Sequence, residues 1–364
     1  MNGLDEKVLS KEAIKTRDMR KVAAYRKYLY KHPDLRYLFF ELTDACNLRC
    51  RHCGSNCTPA NTQYADTKLL INLLDQLKDD FSDADFMICL TGGEPLLHPD
   101  FETIAEAINE RGIPWGMTTN ATLIDLEMAR KLKKLKMGSI SVSLDGLKQS
   151  HEWLRRFPGC FDQTIDGIRN LHSAGHKVQV TTVVSKQNFD ELEELFELMK
   201  ELKVDSWRVI NLEPIGRAHS EISSLLLDDE EMRKLLGFIR EKRYDINNRM
   251  DIRYGCSHYL SYDFEREVRD GFFLCRAGLC VASILVNGDI FGCPDIERRP
   301  KLIQGNIARD RFYDIWVNGF KPYRVDRSNM CDQCKGCKEK AYCAGDSLHT
   351  WDFENNRPKI CLLT

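Results

Sequence analysis

The sequence predicts an α/β chain, a partial (β/α)6 barrel followed by a small cysteine-rich domain. Three observations predict it. Short β-rich apolar runs alternate with longer amphipathic stretches between residues 37 and 211, the rhythm of βα units around a parallel sheet. That rhythm fades after about residue 225. Beyond residue 255 the chain becomes rich in Cys and Gly, and nine of its 15 cysteines lie there.

Taken in order, residues 1–35 are charged and helix-favouring, with Pro33 near their end; they read as an N-terminal helical extension that packs on the main body. Six strands follow: YLFFELT at 37–43, FMICLTG at 86–92, IPWGMTT at 113–119, SISVSLD at 139–145, KVQVTTVV at 177–184 and DSWRVIN at 205–211. Helical patterns fill the gaps near 67–77, 101–110, 124–135, 160–174 and 189–202. The acidic SSLLLDDEEM stretch opens a further helix, and Asn287-Gly288 between apolar runs signals a hairpin across 283–293. The expected limits are 1–35 for the extension, 36–225 for the barrel, 226–255 for a helical linker and 256–364 for the cysteine-rich domain. In such a barrel, chemistry sits at the carboxyl ends of the strands. The last domain lacks a core large enough to hold it unaided, so bound metal would supply much of its stability.

Composition narrows the function. Hydrophobic residues at 43% and charged residues at 30% describe a globular chain. A net charge of -2 gives no electrostatic reason to expect nucleic acid or an anionic membrane as partner. There is no long uncharged apolar run, and MNGLDEKVLSKEAIK has no signal-peptide stretch, so the chain reads as cytoplasmic. Disulfides are rare in that compartment. Bunched cysteines there point to metal or cluster ligation. The first bunch is TDACNLRCRHCGSNC, directly after the first predicted strand. Three thiolates on one loop can hold three irons of a cubane cluster and leave the fourth without a protein ligand. A zinc knuckle is the alternative for this segment alone, and a pair of zinc sites the alternative for the C-terminal cysteines.

The C-x3-C-x2-C spacing of Cys46, Cys50 and Cys53 resembles the radical S-adenosylmethionine (SAM) signature. Further matches lie at successive strand ends. Thr91-Gly92-Gly93-Glu94-Pro95 is similar to the family's GGE motif, and Asn120 lies in a segment like its TNG, with Ala121 in place of Gly. Ser143-Leu144-Asp145-Gly146 resembles the SLDG motif. His151, Arg155 and Gly159 fall at the spacing of a following segment, from which Glu152 and Arg156 depart. The resemblance implies a 4Fe–4S cluster on Cys46, Cys50 and Cys53, with SAM chelating the open iron. It implies SAM contacts from Gly92, Gly93, Glu94, Asn120, Ser143, Asp145 and Arg155. Reductive cleavage of SAM would then give a 5′-deoxyadenosyl radical that takes hydrogen from a substrate. Two glycines suit close approach to a ligand.

The C-terminal region resembles a SPASM domain, which carries two auxiliary 4Fe–4S clusters, three in all with the SAM cluster. Cys275, Gly288 and Cys293 match its first part, with Cys280 between; Cys334, Cys337 and Cys343 match C-x2-C-x5-C, and Cys361 the terminal position. Ser347 stands where the family has its next Cys. Cys331, three residues before the motif, is the expected substitute, giving Cys275, Cys280, Cys293 and Cys331 to the first auxiliary cluster and Cys334, Cys337, Cys343 and Cys361 to the second; the alternative is an open iron.

Family resemblance implies a ribosomally synthesised precursor peptide as substrate and a carbon–carbon or thioether cross-link as outcome. Epimerisation with a Cys hydrogen donor and modification of a tetrapyrrole or small molecule are the alternatives. Cys57 and Cys256 are candidate hydrogen donors and Asp295 a candidate base. The Glu213-Pro214-Ile215-Gly216-Arg217 turn resembles the segment that closes over SAM. The expected partners are the peptide, a separate leader-recognition protein or direct leader binding, and an electron donor such as flavodoxin or ferredoxin. An electron carrier or zinc protein without catalysis is the competing class, and it would have no use for the strand-end SAM motifs.

Overall fold

A computed structural model describes residues 11–81, 85–220, 222–255 and 257–363. Helix α1 (Lys11–Lys31) precedes a regular alternation: β1 (Tyr37–Glu41), α2 (Thr67–Asp80), β2 (Met87–Thr91), α3 (Phe101–Glu110), β3 (Trp115–Thr119), α4 (Leu126–Lys134) and β4 (Ser139–Ser143). Two helices, α5 (Lys148–Arg155) and α6 (Cys160–Ser173), lead to β5 (Val178–Val184), α7 (Leu192–Glu201) and β6 (Ser206–Asn211). The six expected apolar runs are these six strands, and their parallel pairing follows sequence order. Inward positions alternate with outward ones; β5 buries Val178, Val180, Thr182 and Val184. Asp66 and Asp125 accept backbone N–H bonds at the starts of α2 and α4, fixing where each helix begins.

After β6 come α8 (Ile222–Leu225) and α9 (Asp229–Tyr244), the latter opened by a reciprocal Asp228–Glu231 capping box. The stretch expected as a helical linker ends in a strand, β7 (Asp251–Tyr254), which pairs in parallel with β6. Next are α10 (Tyr262–Val268) and the hairpin β8 (Val281–Ile284) and β9 (Asp289–Phe291), turned at Gly288 with φ 84°. Here the C-terminal segment enters the barrel: β8 pairs in parallel with β1, Tyr37 opposite Val281. With β10 (Gly305–Asn306) the result is one 10-stranded sheet ordered β10-β9-β8-β1-β2-β3-β4-β5-β6-β7. A single apolar core runs through both halves, from Leu35 to Leu362.

The remaining C-terminal elements are short: α11 (Phe312–Asn318), then α12 (Asp332–Lys335) and α13 (Lys340–Cys343) of four residues each. Helix α1 packs on this cysteine-bearing segment. Its Arg26 donates to the Tyr342 and Ala341 carbonyls, each at 2.6 Å, and Lys15 pairs with Glu339 at 2.7 Å. No helix among the described residues is long and apolar enough to cross a membrane.

Candidate functional site

Cys46, Cys50 and Cys53 lie on the β1–α2 loop, and the ends of the neighbouring strands hold that loop from several sides. After β2, the Gly93 N–H donates to the Thr43 carbonyl at 2.7 Å and the Glu94 N–H to the Ala45 carbonyl at 2.9 Å. A Cβ on Gly92 would lie 2.4 Å from the Thr43 oxygen, and one on Gly93 would lie 1.9 Å from the Ala45 oxygen. The glycine pair is therefore required by the cysteine loop's own backbone, and not only by the approach of a ligand.

After β3, the chain bends back through Ala121, whose φ of 59° is the left-handed conformation that a Gly would adopt freely. This bend aims Asn120 at the loop. Its N–H donates to Glu94 Oε2 at 2.9 Å and its Nδ2 to Asn47 Oδ1 at 2.8 Å, while Thr119 Oγ1 donates to Glu94 Oε1 at 2.8 Å. Glu94 is 1% exposed. Burial pushes its carboxyl up to about 7 against those hydrogen bonds.

After β4, Asp145 is fully buried. Its Oδ2 accepts from Arg155 at 2.5 Å and lies 3.1 Å from His52 Nε2, and its Oδ1 accepts the Val183 N–H at 2.9 Å. Burial opposes the charge, but Arg155 and His52 outweigh it and hold the carboxyl far below the usual range. Arg155 thus meets a carboxylate of its own chain, on the side of the cysteine loop. Burial, joined by the Arg155 charge, pushes His151 down to about 3, and its Nδ1 accepts the Asp145 N–H. Ser143 closes β4, half-buried.

The turn after β6, which resembles the segment that closes over SAM, holds the backbone of the cysteine loop. Arg217 Nε donates to the Cys50 carbonyl at 2.7 Å, its Nη2 to the Cys57 carbonyl at 2.9 Å and its N–H to the Cys53 carbonyl at 3.1 Å. Gly216, at φ 57°, leaves no room for a Cβ against the Cys53 oxygen at 2.3 Å. Cys57 is buried beside Cys53; their mutual hydrogen bond keeps the Cys57 proton on and draws Cys53 down to about 5. Cys256 lies outside the described residues, and Asp295 is exposed.

In the C-terminal segment the last five cysteines lie near one another. Cys331 Sγ accepts the Cys334 N–H at 3.3 Å, and Cys334 also feels Cys361 and Cys337, as Cys343 feels Cys361 and Cys334. Cys331, expected to complete the first auxiliary set, caps the helix that carries Cys334 in its first turn. Cys275 and Cys293 both flank Tyr323. Cys280 packs against Leu29 of α1. One residue that sequence reasoning missed stands here: His349 Nε2 is 3.6 Å from Cys293 Sγ, with its Nδ1 3.0 Å from Glu213 Oε1. Its signal was a His two residues after the position where Ser347 replaces the expected Cys.

Two features test the fit of the implied cofactors. Burial pushes the thiol of Cys46 to about 12 and those of Cys50, Cys280 and Cys293 to about 11, so a metal bound there would have to displace a proton from each. Around Asp145, the buried nitrogens Arg155 Nε, His52 Nδ1 and His151 Nε2 lack a partner among the described residues, as they would beside a polar ligand.

Fold and strand-end loops together define a (β/α)-barrel enzyme working at the carboxyl ends of its strands. The radical SAM superfamily model matches residues 40–199, and a SPASM iron–sulfur cluster-binding domain matches 275–338. An AdoMet-dependent heme synthase of Methanosarcina barkeri is 29% identical over 350 residues, covering 89% of this chain and 97% of its own. The Fe-coproporphyrin III synthase of the same organism is 30% identical over 332 residues, 84% of this chain and 82% of its own. The mycofactocin maturase MftC of Mycolicibacterium smegmatis is 28% identical over 315 residues, 85% of this chain and 77% of its own. Streptococcus suis SuiB bound to S-adenosylmethionine shares the fold, with a TM-score of 0.72 at 20% identity over 98% of this chain and 84% of that one. The chain belongs to the radical SAM superfamily, as a radical SAM/SPASM enzyme that uses SAM and a 4Fe–4S cluster together with SPASM iron–sulfur sites.

Proposed function

We propose that the chain matures a ribosomally synthesised peptide, joining two side chains by a carbon–carbon or thioether bond. Cys46, Cys50 and Cys53 would hold the SAM cluster. Gly92, Gly93, Glu94, Asn120, Ser143, Asp145 and Arg155 would form the SAM pocket. Cys275, Cys280, Cys293 and Cys331 would serve the first auxiliary site, and Cys334, Cys337, Cys343 and Cys361 the second. When bound, the cluster and SAM supply the one-electron chemistry that starts hydrogen abstraction.

The observation that carries the site assignment is the convergence of buried polar groups from β2, β3 and β4 on one cysteine loop, with three nitrogens left for a ligand. Glu94 is a buried acceptor for an ammonium group, and the orphaned nitrogens of Arg155, His52 and His151 are donors for carboxylate or hydroxyl oxygens. Arg217 and Gly216 hold the loop from the β6 side. Peptide chemistry is supported by the likeness to the mycofactocin maturase. The partners would be the precursor peptide, a leader-recognition protein and a flavodoxin or ferredoxin donor.

A second reading, modification of a tetrapyrrole, is favoured by the two Methanosarcina barkeri relatives. One assay separates the readings. Reconstituted, reduced enzyme is given SAM with either a short peptide encoded beside it or an iron porphyrin, and products are followed by mass spectrometry. Hydrogen loss from the peptide supports maturation, whereas turnover of the porphyrin alone replaces it.

A further inference from the structure

At the position where a fourth cysteine is missing, the chain places a turn of donors. The Leu348 N–H points at Cys275 Sγ at 3.5 Å, and His349 Nε2 lies 3.6 Å from Cys293 Sγ. These are the two cysteines that flank Tyr323. Ser347 is itself engaged, its Oγ accepting the His349 N–H at 2.9 Å and its own N–H donating to Asp346 Oδ1 at 2.7 Å, which sets the turn. The imidazole is buried at 6% exposure, and Glu213 Oε1 receives its other nitrogen at 3.0 Å. Held at one nitrogen by Glu213, the ring presents its other nitrogen to the Cys293 sulfur.

We infer that the Ser347–Leu348–His349 turn is the outer wall of the first auxiliary site, donating hydrogen bonds to the Cys275 and Cys293 sulfurs, with His349 aimed by Glu213. This rests on the assignment of Cys275 and Cys293 as cluster ligands. At 3.6 Å the nitrogen is at hydrogen-bond range of the Cys293 sulfur, which makes His349 a positioning residue of this wall. Donors to cluster sulfurs withdraw charge from the iron and stabilise the reduced form, which raises the potential. Glu213 belongs to the turn whose Arg217 holds the Cys50 and Cys57 carbonyls, so one loop braces both cysteine sites.

The test is an EPR-monitored redox titration of the full-length reconstituted protein, with iron counted in every sample. His349→Leu is expected to keep the wild-type iron content and shift one auxiliary signal to a more negative potential. His349→Gln, which retains an N–H donor, should restore part of the shift, and Glu213→Gln should move the same signal less far. If His349→Leu does not fold, wild-type protein labelled with 15N-histidine answers directly: a weak coupling of hydrogen-bond size is expected. Strong coupling of a directly bound nitrogen, loss of about four irons on His349→Leu, or an unmoved potential would each overturn the inference while leaving the cluster assignment intact. Wild-type protein that holds only the SAM cluster would overturn the auxiliary assignment and this inference together.

Discussion

The barrel's strand-end site and the C-terminal cysteine field both gather thiols, yet they are built by opposite means. In the first, the cysteine loop is held by backbone hydrogen bonds from Gly93, Glu94 and Arg217, and by a buried carboxylate on either flank, Glu94 and Asp145. In the second, Cys331, Cys334, Cys337 and Cys343 sit on or beside helices of four residues, and the strands β11 (Trp351–Asp352) and β12 (Arg357–Pro358) have two residues each. Elements that short cannot hold themselves. The protein scaffold shapes the first site before any metal arrives, whereas metal would complete the second.

The largest effects should separate the two by function. Cys46→Ala is expected to remove about four irons and abolish SAM cleavage; Cys337→Ala should remove about as many while SAM cleavage continues. Iron counting and 5′-deoxyadenosine assays read this. Equal loss of SAM cleavage in both variants would erase the distinction. Removing iron with a chelator should next show where metal carries structure. Deuterium uptake should rise across residues 327–363, while β1 to β6 keep their protection. The hairpin β8–β9 should behave with the barrel, because β8 is paired to β1.

Breaking the scaffold without touching a thiol comes third. Asp145→Ala leaves the buried guanidinium of Arg155 without its 2.5 Å partner. Such a break costs about 3–5 kcal/mol, measurable by urea unfolding of the metal-free chain. In the cysteine field, Asp332 pairs with Lys335 at 2.6 Å in full solvent, and Asp332→Ala should leave the unfolding midpoint unchanged.

The same contrast explains what the sequence reveals. Helix α5, at Lys148–Arg155, was not expected. Strands β1 to β6 and helices α2, α3, α4, α6 and α7 follow from periodicity because each has a buried face long enough to leave a pattern. The order of the strand-end motifs was legible for the same reason. Four-residue DIRY at β7 leaves no pattern, and it lies in a stretch that reads as linker. The pairing of β8 with β1 joins positions far apart in the chain, which alternation within either strand cannot register. Cysteine counting placed Cys331 in the first auxiliary set without any position for it; the helix that Cys331 caps is too short to leave a pattern. The turn that carries Arg217 was legible by its resemblance, but its hold on the cysteine carbonyls was not; His349 acts through the sulfur of another segment, and its only local signal is Ser347 at the expected Cys.

Glycine gives the finest test. At Gly93 an added Cβ would stand 1.9 Å from the Ala45 carbonyl, which itself accepts the Glu94 N–H. Neither backbone segment can yield without moving the cysteine loop. Gly93→Ala should therefore cost about 1–3 kcal/mol, as overpacking does, and weaken SAM binding measured by calorimetry. At Gly288 the nearest atoms are the Asn306 and Ile307 side chains at 3.2 Å, and the positive φ of 84° is the main penalty. Gly288→Ala should cost about 1–2 kcal/mol for the left-handed conformation alone and leave SAM binding unchanged. If Gly288→Ala weakened SAM binding as much as Gly93→Ala, the hairpin would share the strand-end site's role, and the division between a prebuilt site and a metal-completed one would fail at that point.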